Sequence, residues 1–336
     1  MYNLPKFIAE VGLNHNGDLE IAKKMIAVAA ANHCDYVKFQ KRTVGLIATN
    51  DVLDAEDGRF PAFGKTYRAI REHHEFNFEQ YLEIIEYCKL KGVAFLCTAF
   101  DVEAVDFLEQ CGVSAYKIAS HNITDLPLLK KIARLKKRTF LSTGMCLLEE
   151  IDEAVAIFRE ENCELILMHC VSSYPSDNSE ANLAIIPFLK QRYQDCVVGY
   201  SGHEENSIIS EYAAVLGAAY IERHITLDRT MPGFDHKISL DPAGLKELLE
   251  RLKIVCSTMG RAEKKISEKE MITRNKYRRS IVASRHLKKG ERVSEDMFAM
   301  KNPGTGLAPR CMYALIGKTV KEDIPVDTLV TVAQFE

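Results

Sequence analysis

The chain has 336 residues, 47% of them hydrophobic, with a net charge of −3 and a pI near 6.4. That is ample apolar material for one large or two ordinary domains, without the excess of positive charge that accompanies nucleic-acid binding. No apolar stretch is long enough to span a bilayer, and the opening MYNLPKFIAEVGLNHNG lacks the charged region and long apolar run of a signal peptide, so neither membrane insertion nor export is expected. The ten cysteines are scattered, form no CxxC pair and mostly sit inside apolar segments, where Cys behaves as a small hydrophobe. A reducing cytoplasm is the expected home.

In chain order, short apolar runs predict strands at 7–12, 36–40, 94–98, 115–118, 138–142, 165–169, 196–200 and 219–224. Helix-period segments follow them at 19–31, 78–91, 102–110, 126–135, 148–159, 183–192, 207–216 and 242–259. Several strand runs are apolar without alternation, as strands buried on both faces must be. Eight strand–helix units in about 260 residues predict a (β/α)8 TIM barrel over 1–262. A doubly wound open sheet is the competitor, but no GxGxxG turn follows the first strand. The long polar connection 42–77 leaves the C-terminal end of the second strand, on the active face of a barrel, where it is placed to act as a lid. The charged run AEKKISEKEMITRNKYRR marks a linker at 263–279. The remainder, 280–336, reads as short strands broken by Lys-Gly, Pro-Gly and Asp-rich turns, a small all-β module.

Polar residues at the C-terminal ends of barrel strands are the catalytic candidates, and nearly every predicted strand ends in one. Lys38 and Lys117 lie inside apolar runs (YVKFQ, AYKIAS), where an unpaired ammonium is costly. Either they point outward or pair with a buried carboxylate, or they point inward to meet an anion. In the second case Ser142, Ser172 and Ser173, with Thr98 and Ser120, would add the hydroxyl donors that a doubly anionic ligand such as phosphoenolpyruvate (PEP) requires. His203 and His224 end neighbouring strands, and two imidazoles without a thiolate suit a labile catalytic divalent metal better than a closed structural zinc. His169 and His236 are further candidates to line the cavity; His73, His74 and His286 receive no role. Glu10, inside an apolar strand, is either a proton-transfer group or a core ion pair with one of the lysines.

The segments IAEVGLNHNGDLEIAKKMI, VKFQ, YKIAS, LSTGM, MHCVSSYPS, GYSGHE and LGAAYIERHITLDRTMPGFDHKISLDP, with the terminal module, together resemble the sialic acid (N-acetylneuraminate) synthases over essentially the whole chain. The terminal module is similar to that family's SAF, or antifreeze-like, domain. The resemblance implies a transferase that condenses PEP with an N-acylated mannosamine-type sugar to give a nonulosonic acid and phosphate. It implies that His203 and His224 bind the metal, with Mn²⁺ ahead of Mg²⁺ or Co²⁺. Lys38, Thr98, Lys117, Ser120, Ser142, Ser172, Tyr174 and Ser201 would hold PEP. Glu10 would be the acid/base or orienting carboxylate, with Gln40 near the metal, and Asp235 would meet the sugar hydroxyls. A domain-swapped homodimer is implied, each small domain capping the partner's barrel.

Two positions depart from the family pattern. Asn302 stands where many members carry an Arg before the Pro-Gly of the small module, and Asn122 where a sugar-contacting Glu is common. Both changes touch the sugar side. N-acetylmannosamine or its 6-phosphate is the leading acceptor, and a diacetamido-trideoxy hexose, giving legionaminic or pseudaminic acid, is the alternative. An octulosonate- or heptulosonate-type synthase is disfavoured by the small module. A non-catalytic carbohydrate-binding protein would not need strand-end lysines and paired histidines.

Overall fold

The structure, a computed structural model, describes residues 3–336. Strands β1 (Lys6–Gly12), β2 (Tyr36–Lys41), β3 (Ala94–Ala99), β4 (Ala115–Ile118), β5 (Arg138–Ser142), β6 (Leu165–Cys170), β7 (Val197–Gly202) and β8 (Tyr220–His224) pair in parallel in that order, and β8 closes on β1. The chain thus forms the predicted closed (β/α)8 barrel, and the open-sheet alternative is excluded.

Several helices start where a capping residue is written in the sequence. α1 (Leu19–Ala31) is capped by Asp18, whose carboxylate accepts from the Glu20 and Ile21 amides. The connection after β2 holds α2 (Asn50–Leu53) and α3 (Tyr67–His73) before α4 (Phe78–Lys91), which opens with an Asn77/Gln80 capping box and stops at Gly92 in the left-handed region. Then come α5 (Val102–Gln110), α6 (Leu126–Arg134), α7 (Leu148–Glu160), α8 (Ile185–Arg192), α9 (Ile208–Val215) and α10 (Pro242–Met259), the last begun by Asp241 and Pro242. No helix among the described residues is long and apolar enough to cross a membrane.

Because side chains alternate along a strand, each strand divides its residues between the helical shell and the barrel interior. Phe7, Ala9 and Val11 of β1 join the shell core, with Val37 and Phe39 of β2 and Cys97 and Ala99 of β3. The intervening positions face inward. At the bottom they are apolar: Ile8, Tyr36, Leu96, Ala115, Phe140, Ile166, Met168 and Tyr220 form one sealed cluster. One step up they become Glu10, Lys38, Thr98, Lys117, Ser142, Cys170, Ser201 and Glu222, and all eight line the cavity at the mouth. The apolar plug is therefore the floor of the site.

The described chain forms two compact units, one running to Arg261 and a second at Ala262–Glu336. Where the charged run predicts a linker, the structure has α11 (Glu268–Tyr277), with its own Ser267/Glu270 capping box and no buried residue. The capping box and acidic first turn set its start, and the Gly304 amide donates to the Asn275 carbonyl near its other end. Beyond it, β9 (Ser280–Ala283) pairs antiparallel with β10 (Phe298–Lys301), and isolated bridges such as Leu287↔Ile324 and Val320↔Phe335 complete a small β-rich unit. Its core is its own, built on Ile281, Leu287, Val293, Met297, Leu315, Val320, Ile324 and Phe335. All ten cysteines are free, and Cys34, Cys88, Cys97, Cys111, Cys163 and Cys170 are buried.

Phe140 is fully buried in the plug, edge-on to Tyr36 and Tyr220 at 5.7 and 5.0 Å between centroids. Phe140→Ala should cost about 3–5 kcal/mol of barrel stability through lost transfer and a residual cavity. Chemical denaturation followed by circular dichroism checks this. An unshifted midpoint would show that the plug collapses around the loss.

Candidate active site

The cavity at the C-terminal end of the barrel encloses about 540 Å³. Its deepest feature is a group of two cations and two anions. Lys38 Nζ lies 3.1 Å from Glu10 Oε2 and 3.3 Å from Glu222 Oε1, and Lys117 Nζ lies 3.8 Å from the same Glu222 oxygen. All four side chains are at most 5% exposed. Both halves of the alternative posed for the lysines are therefore present at once: they point inward, and they pair with buried carboxylates. Only the outward orientation is excluded.

The electrostatics follow from who is shared. Burial works against the Lys38 cation, but Glu10 and Glu222 together outweigh it and raise the group above its ordinary pKa. Lys117 has only the more distant Glu222, so burial dominates and lowers it, and the Lys38 charge adds to the effect. Glu222 is buried too, but Lys117, Lys38 and the Ser201 hydroxyl, which donates at 3.0 Å, hold its carboxyl down at about 2. Lys117 keeps its second contact with Ser142 Oγ at 2.5 Å. Glu222 Oε2 is buried without any hydrogen-bond partner, and Glu10 Oε2 has only the Lys38 ammonium. The group therefore presents an open acceptor as well as a cation.

Beside it stands a hydroxyl and amide cradle. The Gly144 amide donates to Ser120 Oγ at 3.1 Å, and Ser120 lies 3.2 Å from Cys170 Sγ. A Cβ at position 144 would collide with the Ser172 and Ser120 hydroxyls, so the loop after β5 can approach them only as glycine. Ser142 and Ser172 line the same wall, whereas Ser173 is turned away to donate to the Pro175 carbonyl.

On the opposite side His203 and His224 face each other with ring centroids 5.7 Å apart. Burial, and then the neighbouring His224, push the His203 imidazole down to about 3, so it is neutral. It donates Nδ1–H to the Val171 carbonyl at 2.8 Å, which leaves Nε2 with its lone pair. His224 Nδ1 is buried without a hydrogen-bond partner, 3.7 Å from Asp235 Oδ2. The Tyr174 ring lies 4.2 Å from that of His203. Glu10 Oε1 accepts from Gln40 Nε2 at 2.8 Å, and Gln40 Oε1 accepts from Arg42 at 2.5 Å. Gly12, at a register shift between β1 and β2 and with φ +55°, leaves open the space where a Cβ would meet Glu10, Gln40 and His224.

The structure thus brings Glu10, Gln40, Lys38, Thr98, Lys117, Ser120, Ser142, Ser172, Tyr174, Ser201, His203, His224 and Asp235 to one cavity. Asn122 is not among the lining residues; it is buried and donates to the Phe100 carbonyl at 3.2 Å. Asn302 lies in the second unit, where it lines a separate cleft with Arg279, Met300 and Asp327. His169 and His236 brace backbone and side chains at Ala181 and Thr226 instead of lining the cavity. Sequence reasoning assigned no role to Glu222, although its position two residues before His224 puts both on one strand face. It also missed Arg42, Arg59, Arg71, Tyr67 and Phe234, which reach the cavity from irregular segments without any period to announce them.

Comparison with known proteins now decides the family, since the NeuB family profile matches residues 25–264 and a SAF domain profile matches 278–336. The chain belongs to the NeuB family. It is similar to the N,N'-diacetyllegionaminic acid synthase of Campylobacter jejuni, 38% identical over 96% of this chain and 98% of that one. It is equally similar to the N-acetylneuraminate-9-phosphate synthase of Drosophila melanogaster, 38% identical over 95% and 93%. Among solved structures, the N-acetylneuraminic acid (sialic acid) synthetase of Leptospira borgpetersenii superimposes with a TM-score of 0.70, at 34% identity, over 81% of this chain and 90% of that one. The chain is accordingly an enzyme of the nonulosonic acid synthase family, whose members condense PEP with a sugar.

The charge group predicts two different phenotypes. Lys38→Met strands Glu10 and Glu222 in a buried site and should cost about 3–5 kcal/mol of stability. Lys117→Met removes a less compensated cation and should instead weaken PEP binding by roughly 10- to 100-fold. Thermal unfolding and PEP calorimetry on both variants check the split. Equal behaviour of the two would mean that the lysines share one role.

Proposed function

We propose that this enzyme joins PEP to the open-chain form of an N-acyl mannosamine-type sugar, with N-acetylmannosamine or its 6-phosphate as the acceptor and an N-acetylneuraminate-type acid as the product. The observation that carries this reading is the convergence, in one cavity, of an anion cradle with Lys117 on one side and two imidazoles with free ring nitrogens on the other.

In this reading Ser120, Ser142, Ser172 and the Lys117 ammonium bind the phosphate and carboxylate of PEP and fix its C3 carbon toward the acceptor aldehyde. The new bond joins C3 to the aldehyde carbon, and the positive charge at C2 is taken up by water. Glu222 Oε2, which lacks a protein donor, and Glu10 Oε2, which meets only the Lys38 ammonium, are positioned to accept a proton from that water. Collapse of the resulting tetrahedral carbon by C–O cleavage releases phosphate. Gln40 holds Glu10 in place, and Asp235 accepts from sugar hydroxyls.

His203 and His224 fit a divalent cation. The tautomer of one frees Nε2, and Nδ1 of the other is an orphaned buried atom beside a carboxylate. Two protein ligands would leave the remaining positions to substrate and water, as in an open catalytic site. A cation there, Mn²⁺ before Mg²⁺ or Co²⁺, would supply polarisation of the aldehyde. We further propose a cytoplasmic homodimer in which the Asn302 cleft of the small unit serves the partner's acceptor. A legionaminate- or pseudaminate-type acceptor is the second reading, supported by the likeness to the Campylobacter enzyme.

Incubating the protein with PEP, Mn²⁺ and a panel of N-acyl amino sugars tests the reading through phosphate release and the mass of the acid formed. N-acetylmannosamine or its 6-phosphate should give the highest kcat/KM, and a diacetamido-trideoxy hexose in first place would transfer the assignment to the second reading. Excess EDTA should abolish turnover with the circular dichroism spectrum unchanged, and Mn²⁺ should restore it. Full activity in EDTA would remove the metal from the proposal.

A further inference from the structure

The connection between β2 and α4 delivers three arginines to the cavity, and they are not equivalent. Arg42 is buried and satisfied, its guanidinium bonded to Glu75 Oε1 at 3.1 Å and to Gln40. Arg59 forks onto Asp57, with Nε 2.9 and 3.1 Å from the two carboxylate oxygens. Arg71 has no such partner. Its Nε is buried without a hydrogen bond, and among the described residues it forms no ion pair. What holds it is aromatic: its guanidinium carbon lies 4.8 Å from the Tyr67 ring and 4.6 Å from the Phe234 ring, with Arg59 on Phe234 at 5.2 Å. Burial lowers its pKa and the nearby Arg42 charge lowers it further, against the opposing pull of Tyr67.

The position of this cation matters as much as its lack of a partner. Phe234 precedes Asp235, whose carboxylate lies 3.7 Å from His224. Arg71 thus stacks on the residue adjacent to Asp235, the carboxylate that the proposed reading gives to the sugar hydroxyls. The wall that carries Arg71 is also fixed in place. His73 at the end of α3 donates to the Asn16 carbonyl at 3.0 Å, and Phe63 stacks on His73 at 5.0 Å. A guanidinium held rigidly, desolvated on one edge and unpaired is prepared for a tetrahedral or planar oxyanion.

We propose that Arg71, flanked by Arg42 and Arg59, is the subsite for a phosphate monoester at the far end of the acceptor, so that the preferred acceptor is a hexosamine 6-phosphate and not the free sugar. This rests on the reading of the cavity as a PEP–amino sugar site and narrows its substrate class.

Calorimetry without PEP, in which no condensation can occur, tests it directly. The protein loaded with Mn²⁺ is titrated with N-acetylmannosamine 6-phosphate, with N-acetylmannosamine, and separately with PEP. The sugar phosphate should bind at least roughly tenfold more tightly than the free sugar. Arg71→Met should abolish most of that difference, and Arg71→Lys should keep part of it. Arg59→Met should give a smaller loss of the same kind, which preserves the test if Arg71→Met does not fold. Equal affinity of the native protein for the two sugars overturns the proposal. So does a loss in Arg71→Met that falls on PEP as much as on the sugar phosphate, which would assign the arginine to the donor. A phosphate-dependent difference in binding without any turnover on adding PEP would leave the subsite standing and remove the condensation reading. Turnover without a phosphate preference would do the reverse.

Discussion

Lys38 shared between Glu10 and Glu222 is the contact on which the rest of the site depends. Strands β1, β2 and β8 each place one inward residue at the same height, and the register pairs Glu10 with Lys38 on one side and with His224 on the other. Taking such charges out of water costs several kcal/mol per ion unless each finds a partner. Here the partners come from three strands, so no strand can slip by a residue without stranding a charge as well as turning its apolar face outward. The ion pairs that prepare the chemistry also fix the alignment of the barrel. That double role is why the inward layer just below must be apolar and close-packed: the Phe140–Tyr36–Tyr220 plug keeps the charges at the mouth, where a ligand can reach them.

Most of this architecture was legible in the sequence because it is written in period and punctuation. Strand runs, caps such as Asp18 and Asn77, and the terminator Gly92 are local signals, and the elements they predict are the ones observed. The lysines could be flagged as misplaced in apolar runs, but the runs did not say that Glu222 sits between them, since that depends on β2, β4 and β8 facing one another inside the closed barrel. The charged run at 263–279 has the composition of a linker, yet a capping box turns its middle into a helix. Asn122 was placed by alignment with a sugar-contacting residue, and its side chain instead satisfies the Phe100 carbonyl. The arginines of the β2–α4 connection escaped notice for a simple reason: an irregular segment has no repeat from which a facing direction follows.

The cavity is therefore built from two kinds of chain. The cradle, the charge group and the histidines sit on strand ends whose spacing the barrel dictates. The outer wall comes from the β2–α4 and β8–α10 connections, joined by contacts such as Phe60 on Phe234. A strand-end residue cannot change without consequences for register, whereas a connection accepts substitution at little cost to the fold. Relatives that share the chemistry but differ in the acid named as their product are what such a division allows.

The seam where β8 closes on β1 carries a consequence for how the molecule comes into being. Asn14, just after β1, donates to the Ile225 carbonyl and to Ser239 Oγ, both at 2.8 Å, across more than 200 positions of chain. Glu10 is synthesised more than 200 residues ahead of Glu222 and His224, which complete its surroundings. Contacts of such sequence separation form late, after the entropy of the intervening loop has been overcome. An arrested or truncated barrel without β8 thus lacks Glu222 from its charge group and one of the two imidazoles that face each other at the mouth. Competence for chemistry arrives in a single step, with ring closure itself.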